Sequence, residues 1–303
     1  MSESRLRASL RAVRDIFLGV ARLPNLVRVI EQVEYLDREV ARLHAAARRA
    51  LWQSRRRSAL APQTKASFDY QWQHIPEGRA LPSDPAFMAD LDRQLTGMIR
   101  VPADWFSGKR VVDVGCGIGR YSYGLLQLGA SVMACDQSEA ALRRTAELCL
   151  PFADRLALKR IDLLEWDEPA DFDLAFSFGV VHHTGNTYLA IENVCRKVRP
   201  GGRVFLMIYG VPQTRAAFQE VNDYERIAAE IRLLSFSDRQ ALLTDRFGPD
   251  GAHGWFDATS PRINDRLTFE EIVDLLTELG FVDIEQTVIA RNHHIVAQRA
   301  PAA

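Results

Sequence analysis

The sequence predicts an α/β protein built on a mostly parallel sheet, and three observations carry that expectation. Residues 109–208 alternate short apolar runs with helix-like stretches, the pattern of β-α-β units. The run VVDVGCGIGR (Val111–Arg120) takes an apolar strand through three glycines into a helix-like segment. Three acids, Asp113, Asp136 and Asp162, fall at or near the ends of three successive strand candidates.

Composition sets the outer bounds. The chain has 303 residues, 47% hydrophobic and 25% charged, enough for a sizeable core. A net charge of −1 gives no reason to expect a nucleic-acid partner. Cys116, Cys135, Cys149 and Cys195 form no C-x-x-C pair and read as small apolar residues in a reducing compartment. No apolar run is long enough to cross a bilayer, and IFLGVA is too short for a secretory signal. The expected location is the cytoplasm.

Residues 1–58 form a basic helical extension broken at Pro24, its positive charge almost all arginine. Beyond the break, Leu26, Val33, Val40 and Ala47 are seven apart, as are Val29, Leu36, Leu43 and Ala50. Interleaved, they make a heptad stripe of about three and a half repeats. Three readings stay open: a helix packed on its own catalytic domain, a homo-oligomer seam through residues 26–50, and a weak contact with an anionic membrane surface. The run RRR at 55–57 is a solvated helix end.

Residues 59–108 are expected to be a linker and pocket cap: APQTK as linker, then SFDYQW, a Pro-rich stretch and a short helix around Phe87–Ile99. Strands are expected at Arg110–Val114, Ser131–Asp136, Leu156–Asp162, Leu174–Phe178 and Gly202–Tyr209. The segment 210–266 interrupts the sheet as a helical lid or substrate insertion. Thr268–Leu279 is a capped amphipathic helix, closed by Gly280, and strands follow at Phe281–Thr287 and His294–Arg299. Residues 109–209 and 267–303 together are expected to make the sheet-bearing α/β domain.

Three ligand types compete for the glycine turn. A P-loop needs G-K-[ST], which is absent, and a dinucleotide site needs G-x-G-x-x-G where this chain has G-x-G-x-G. That spacing removes a nicotinamide-dependent dehydrogenase. Asp113, two residues before Gly115, disfavours a pyrophosphate and favours a cation such as S-adenosyl-L-methionine (SAM), which carries an ammonium and a sulfonium. Asp136 lies seventeen residues past Gly119, where a carboxylate can accept both hydroxyls of a ribose. Asp162 and Leu163 suit an adenine amino group beside an apolar wall. Each acid alone is more often a surface or capping residue; their coincidence beside a glycine turn is the informative part.

The chain resembles the class I SAM-dependent methyltransferases, of the small-molecule kind found in quinone biosynthesis and in sugar and natural-product O-methylation. DVGCGIG matches that family's first motif, Asp136 its second-strand acid, IDLLEW its adenine-side segment and VRPGGRVFLMIY its fifth strand. The resemblance covers roughly Phe106–Tyr209 and resumes at Leu267–Arg299. It implies a Rossmann-like seven-stranded sheet, its last strand antiparallel and helices on both faces. It also implies SAM as cofactor, S-adenosyl-L-homocysteine (SAH) as product and a small-molecule methyl acceptor. Asp113, Gly115, Cys116, Gly117 and Gly119 would hold the methionine end, Asp136 and Gln137 the ribose, and Asp162 and Leu163 the adenine.

GVVHHTGN (Gly179–Asn186) exits the fourth strand, and in the family this loop faces the acceptor. Phe178 and Gly179 would border the cofactor there. Methyl transfer to a hydroxyl requires loss of a proton, which a near-neutral histidine can take. Adjacent side chains diverge, so one of His182 and His183 faces the pocket, and His183 is the favoured base or acceptor-orienting group. The bland alternative is a loop histidine bonded to nearby backbone. No His/Asp/Glu pair at ligand spacing suggests a metal, and His253, His293 and His294 are too scattered to make a site. Substrate contacts are expected from Tyr70, Trp72, Tyr209, Trp255 and Arg262, although such aromatics are more often core. The competing function is a SAM-binding regulatory or scaffold protein, or a SAM enzyme with other chemistry, assembled through the N-terminal helix.

Overall fold

The strand expected at Arg110–Val114 is β1, and its last four residues are buried, as a strand covered on both faces requires. With β2 (Ser131–Asp136), β3 (Leu156–Arg160), β4 (Phe172–Phe178), β5 (Val198–Ile208), β6 (Phe281–Val288) and β7 (His293–Arg299), it forms a seven-stranded sheet in the order β3-β2-β1-β4-β5-β7-β6. The first five strands pair in parallel, and β7 runs antiparallel to both β5 and β6. This Rossmann-like order reverses between β1 and β4. The chain leaves those two neighbouring strands in opposite directions across the sheet, which opens a crevice at their carboxyl ends.

The computed structural model describes residues 28–33, 35, 36, 40, 59–75, 85–168 and 170–301. The chain divides into two units, residues 1–53 and 54–303. In the first, the described residues are helical, and Val29, Leu36 and Val40 are exposed. Heptad positions Leu26, Leu43, Ala47 and Ala50, the segment before Pro24, the run at 55–57 and the Pro-rich stretch at 76–84 lie outside the described residues.

In the second unit the helices are α1 (Ala61–His74), α2 (Pro85–Ile99), α3 (Arg120–Gln127), α4 (Glu139–Leu148), α5 (Thr187–Cys195), α6 (Arg215–Ile231), α7 (Phe236–Thr259) and α8 (Phe269–Glu278). APQTK is not a linker but the first turn of α1, which Pro62 opens without losing a needed N–H. The Thr268 Oγ1 accepts from Glu271 N while the Glu271 carboxylate accepts from Thr268 N, the expected N-cap completed as a capping box. The insertion is helical, as its sequence suggests, and bends at Gly248 (φ +75°), just before Pro249. Beneath the crevice, Leu91, Leu95, Ile99, Leu125, Leu126 and Phe205 form a dry core between sheet and helices. Their burial stabilises the platform by roughly 2 kcal/mol per side chain.

Candidate active site

The glycine turn is shaped by what stands over it. A Cβ on Gly115, at φ +76°, would lie 2.2 Å from the Val180 Cγ2, so only glycine lets β1 and the β4 exit loop approach this closely. Gly119, at φ +87°, faces the Thr145 side chain of α4 rather than the cavity, and it sets the packing of α3. The turn's N–H groups are not bare. Gly115 and Cys116 donate to the Cys135 carbonyl (2.7 and 3.0 Å), Gly117 to Asp136 Oδ2 (3.0 Å) and Gly119 to the Cys116 carbonyl (2.9 Å). The turn is therefore held rigid by β2, and it offers a ligand its carboxylates and bare Cα positions more than free donors.

Two of the three acids are buried. Asp113 accepts a 2.6 Å hydrogen bond from the Ser122 hydroxyl, and burial pushes its pKa up to about 7, with the Asp136 charge adding to the rise. Asp136 accepts from the N–H groups of Gly117 and Ser138, yet burial still raises it to about 6. Asp162 lies just past the end of β3, not within it. It accepts from Leu164 N at 3.0 Å and pairs with Lys65 of α1. The loop carrying it is pinned from α5, where Asn193 Nδ2 donates to the Leu163 carbonyl at 2.8 Å. Just beyond α5, the buried Lys197 donates to the Trp166 carbonyl at 2.8 Å.

The three acids line one cavity of about 360 Å³ at the carboxyl ends of the strands. Of the residues expected from sequence, it brings together Asp113, Gly115, Cys116, Gly117, Asp136, Gln137, Asp162, Leu163, Phe178, Gly179, His183, Trp72 and Tyr209. Gly119, His182, Tyr70, Trp255 and Arg262 do not line it. Tyr70 points away, donating to Gln240 Oε1 at 2.7 Å and packing on Phe256. Trp255 stacks on Phe247 at 4.0 Å. Arg262 contributes its backbone N–H to the Thr64 hydroxyl while its residue is exposed.

The two histidine rings lie against each other, 4.2 Å between centres, but meet different neighbours. Past β4 the chain forms a 3-10 turn, Val181–His183, that buries both rings. His182 stacks 3.9 Å from the Tyr209 ring, and neither of its nitrogens has a hydrogen-bond partner among the described residues. Burial, then the neighbouring His183, hold it well below the usual histidine range. His183 instead lines the cavity, its Nδ1 2.8 Å from the Ile263 carbonyl. A carbonyl oxygen can only accept, so Nδ1 carries the hydrogen and Nε2 keeps its lone pair. That Nε2 is buried without a partner among the described residues. Burial lowers the His183 pKa from its ordinary value, with Asp257 opposing the shift.

Sequence spacing did not reveal the cover. Ala61, Lys65, Phe68 and Trp72 recur at four, three and four residues along α1, and all four line the cavity. From α7 come His253 and Asp257, one helical turn apart, so His253 lines the same cavity as His183. Gln71 Nε2 donates to His253 Nε2 (3.0 Å) and, at 3.4 Å, to Asp257 Oδ1, while the Tyr209 hydroxyl donates to Asp257 Oδ2 (3.1 Å). Thr64 and Gln63 stitch α1 to the segment after α7.

The sheet order, the glycine turn and the acid at the end of β2 are similar to those of class I, SAM-dependent methyltransferase domains. Residues 112–204 match the family model described as a methyltransferase domain. The ubiquinone biosynthesis O-methyltransferase of Dechloromonas aromatica is 36% identical over 102 residues, 33% of this chain and 44% of the relative. That of Paraburkholderia phymatum is 29% identical over 153 residues, 46% of this chain and 66% of the relative. The chain thus spans about half the length of such relatives. Among solved structures, the magnesium protoporphyrin IX methyltransferase of Synechocystis PCC 6803 with bound SAH superposes with a TM-score of 0.51. It is 15% identical, covering 80% of this chain and 99% of its own, so the likeness is one of fold.

Proposed function

We propose that this protein binds SAM in the crevice and transfers its methyl group to a hydroxyl oxygen of a small molecule, with His183 as base. The observation that supports the reading is the His183 tautomer: Nδ1 is committed to the Ile263 carbonyl, which leaves the Nε2 lone pair, buried and without a partner among the described residues, on a side chain that lines the cavity.

The cavity fits the cofactor on its own chemistry. Asp113 and Asp136 are two buried carboxylates, both raised by burial, an arrangement that a cationic ligand relieves. Asp113 would hold the ammonium end, Asp136 the ribose hydroxyls, and Asp162 and Leu163 the adenine. Bound SAM supplies an electrophilic methyl on a positively charged sulfur. The chain does the rest: α1 and α7 exclude water, the β4 exit orients the acceptor, and His183 Nε2 takes the hydroxyl proton as the oxygen attacks. The proton rests on the imidazole, and SAH leaves with the methylated product. The O-methyltransferase relatives support an oxygen acceptor.

Titration calorimetry with SAM is the direct test. Binding at micromolar to millimolar concentration is expected, and no heat at millimolar SAM would reject the reading. We also propose self-association through residues 26–50, supported by the exposed Val29, Leu36 and Val40 at heptad spacing.

A further inference from the structure

Residues 260–267 cross from the end of α7 toward α8 outside any helix, and every second one, Pro261, Ile263, Asp265 and Leu267, is buried. A buried segment of this kind has to find partners for its backbone groups elsewhere in the fold. The Arg262 and Ile263 N–H groups both donate to the Thr64 hydroxyl of α1, each at 3.2 Å. The Asp265 N–H donates to the His182 carbonyl at 2.9 Å, and the Leu267 N–H to the Tyr209 carbonyl at 3.1 Å. Between these anchors, the Ile263 carbonyl accepts from His183 Nδ1 at 2.8 Å. The segment therefore joins α1, the histidine turn and the exit of β5.

The direction of the Ile263 carbonyl is set by the peptide units on either side of it, because each unit is rigid and only the dihedrals between them are soft. Thr64 anchors the unit before it, and the bond from Asp265 to His182 anchors the unit after it. A hydroxyl oxygen has two lone pairs, and the segment occupies both. Thr64 is 2% exposed, so its oxygen is shielded from solvent. One helical turn further along α1, Phe68 meets the His183 ring edge-on at 4.9 Å. Helix α1 thus reaches the imidazole twice, directly through Phe68 and by way of Thr64 through Ile263.

Resting on the methyl-transfer reading, we infer that Thr64 is a positioning residue for His183. Its hydroxyl aims the Ile263 carbonyl, and that carbonyl keeps the imidazole hydrogen on Nδ1 and the lone pair on Nε2. The form of the proposed base is therefore chosen by the helix that covers the cavity, not by the histidine turn alone. Thr64→Val keeps the branched shape but removes the oxygen, which leaves two buried N–H groups to turn toward other partners. The carbonyl turns with them, and nothing then holds the hydrogen on Nδ1. Thr64→Ser keeps the oxygen and the bond.

The test uses the full-length protein with isotope-labelled histidine and long-range proton–nitrogen correlation spectra near pH 7, which tell Nδ1–H from Nε2–H imidazoles. His183→Gln and His293→Gln identify the two signals that matter. His293 is the internal control, because its Nε2 faces the Leu267 carbonyl of the same segment at 3.0 Å and holds the opposite form. Wild-type His183 should be in the Nδ1–H form, and Thr64→Ser should match it. In Thr64→Val about half or more of that form should pass to Nε2–H while His293 is unchanged, with thermal melts verifying folding. An Nε2–H wild type overturns the inference, as does a Thr64→Val spectrum identical to wild type or a Thr64→Ser spectrum that matches Thr64→Val. Loss of the His293 form together with that of His183 overturns it too, since the whole segment has then come apart. Thr64→Ala repeats the measurement if Thr64→Val does not fold. SAH is titrated separately, and its failure to bind strikes the methyl-transfer reading while the tautomer result stands.

Discussion

At the scale of single residues, the proposed chemistry rests on how burial tunes His183 and Asp113. Burial keeps His183 below its ordinary pKa, so the imidazole is neutral and able to accept a proton at pH 7. His183→Ala should cut turnover by about 10²- to 10⁴-fold, measured as SAH release, while SAM still binds. If His183 is the base, the wild-type rate should fall with acid only below the ordinary histidine range, because burial lowers the pKa of this imidazole. Asp113 behaves oppositely. Its pKa is raised from 3.8 to about 7, so the folded apo protein holds a proton that the unfolded chain releases. Apo stability therefore declines as pH rises from about 4 to about 7. An ammonium binds only the ionised carboxylate, so SAH affinity should rise about tenfold from pH 6 to pH 8. Titration in buffers of different ionisation enthalpy should also show proton release on binding near pH 7. A flat affinity across that range would mean Asp113 does not meet the cation.

At the scale of elements, loops carry the site and helices hold the loops. The segment after β3 presents Asp162 and Leu163, and it is fastened by Asn193 Nδ2 on the Leu163 carbonyl and by Lys197 on Trp166. Asn193→Ala removes that buried donor and should destabilise the protein by about 1–3 kcal/mol in urea unfolding, with weaker SAM binding. Unchanged stability would leave Asn193 without this fastening role. Helix α1 shows why the cover was hard to read. Its cavity face (Ala61, Lys65, Phe68, Trp72) mixes small, charged and aromatic residues, so no apolar stripe marks it. Pro62 suggested a linker where it in fact opens a helix. Tyr70 and Trp72, two residues apart, necessarily point to different sides of that helix; Trp72 lines the cavity and Tyr70 the lid core.

At the scale of the whole molecule, the insertion between β5 and α8 adds His253, Gly254 and Asp257 to the lining of the cavity, as the proposed exclusion of water requires. The proposed self-association is tested on the N-terminal unit. A version lacking residues 1–58 should give a smaller species in light scattering than the full chain, if residues 26–50 form the seam. An identical mass for both would remove that role.

The sequence by itself determined the parallel sheet, the glycine turn, the acids near the ends of the first three strands and the histidine loop. These are local patterns: strand period, turn chemistry and capping act on neighbours along the chain, and Asp113, Asp136 and Asp162 are each legible from their own strand. Only the tertiary structure decided which histidine faces the cavity. That depends on the Ile263 carbonyl, 80 residues away, which fixes the His183 ring. The same holds for Asp257, His253, Lys65 and Phe68, which reach the site from helices whose own periodicity carries no trace of it. A binding wall assembled from distant segments exists only once those segments pack together.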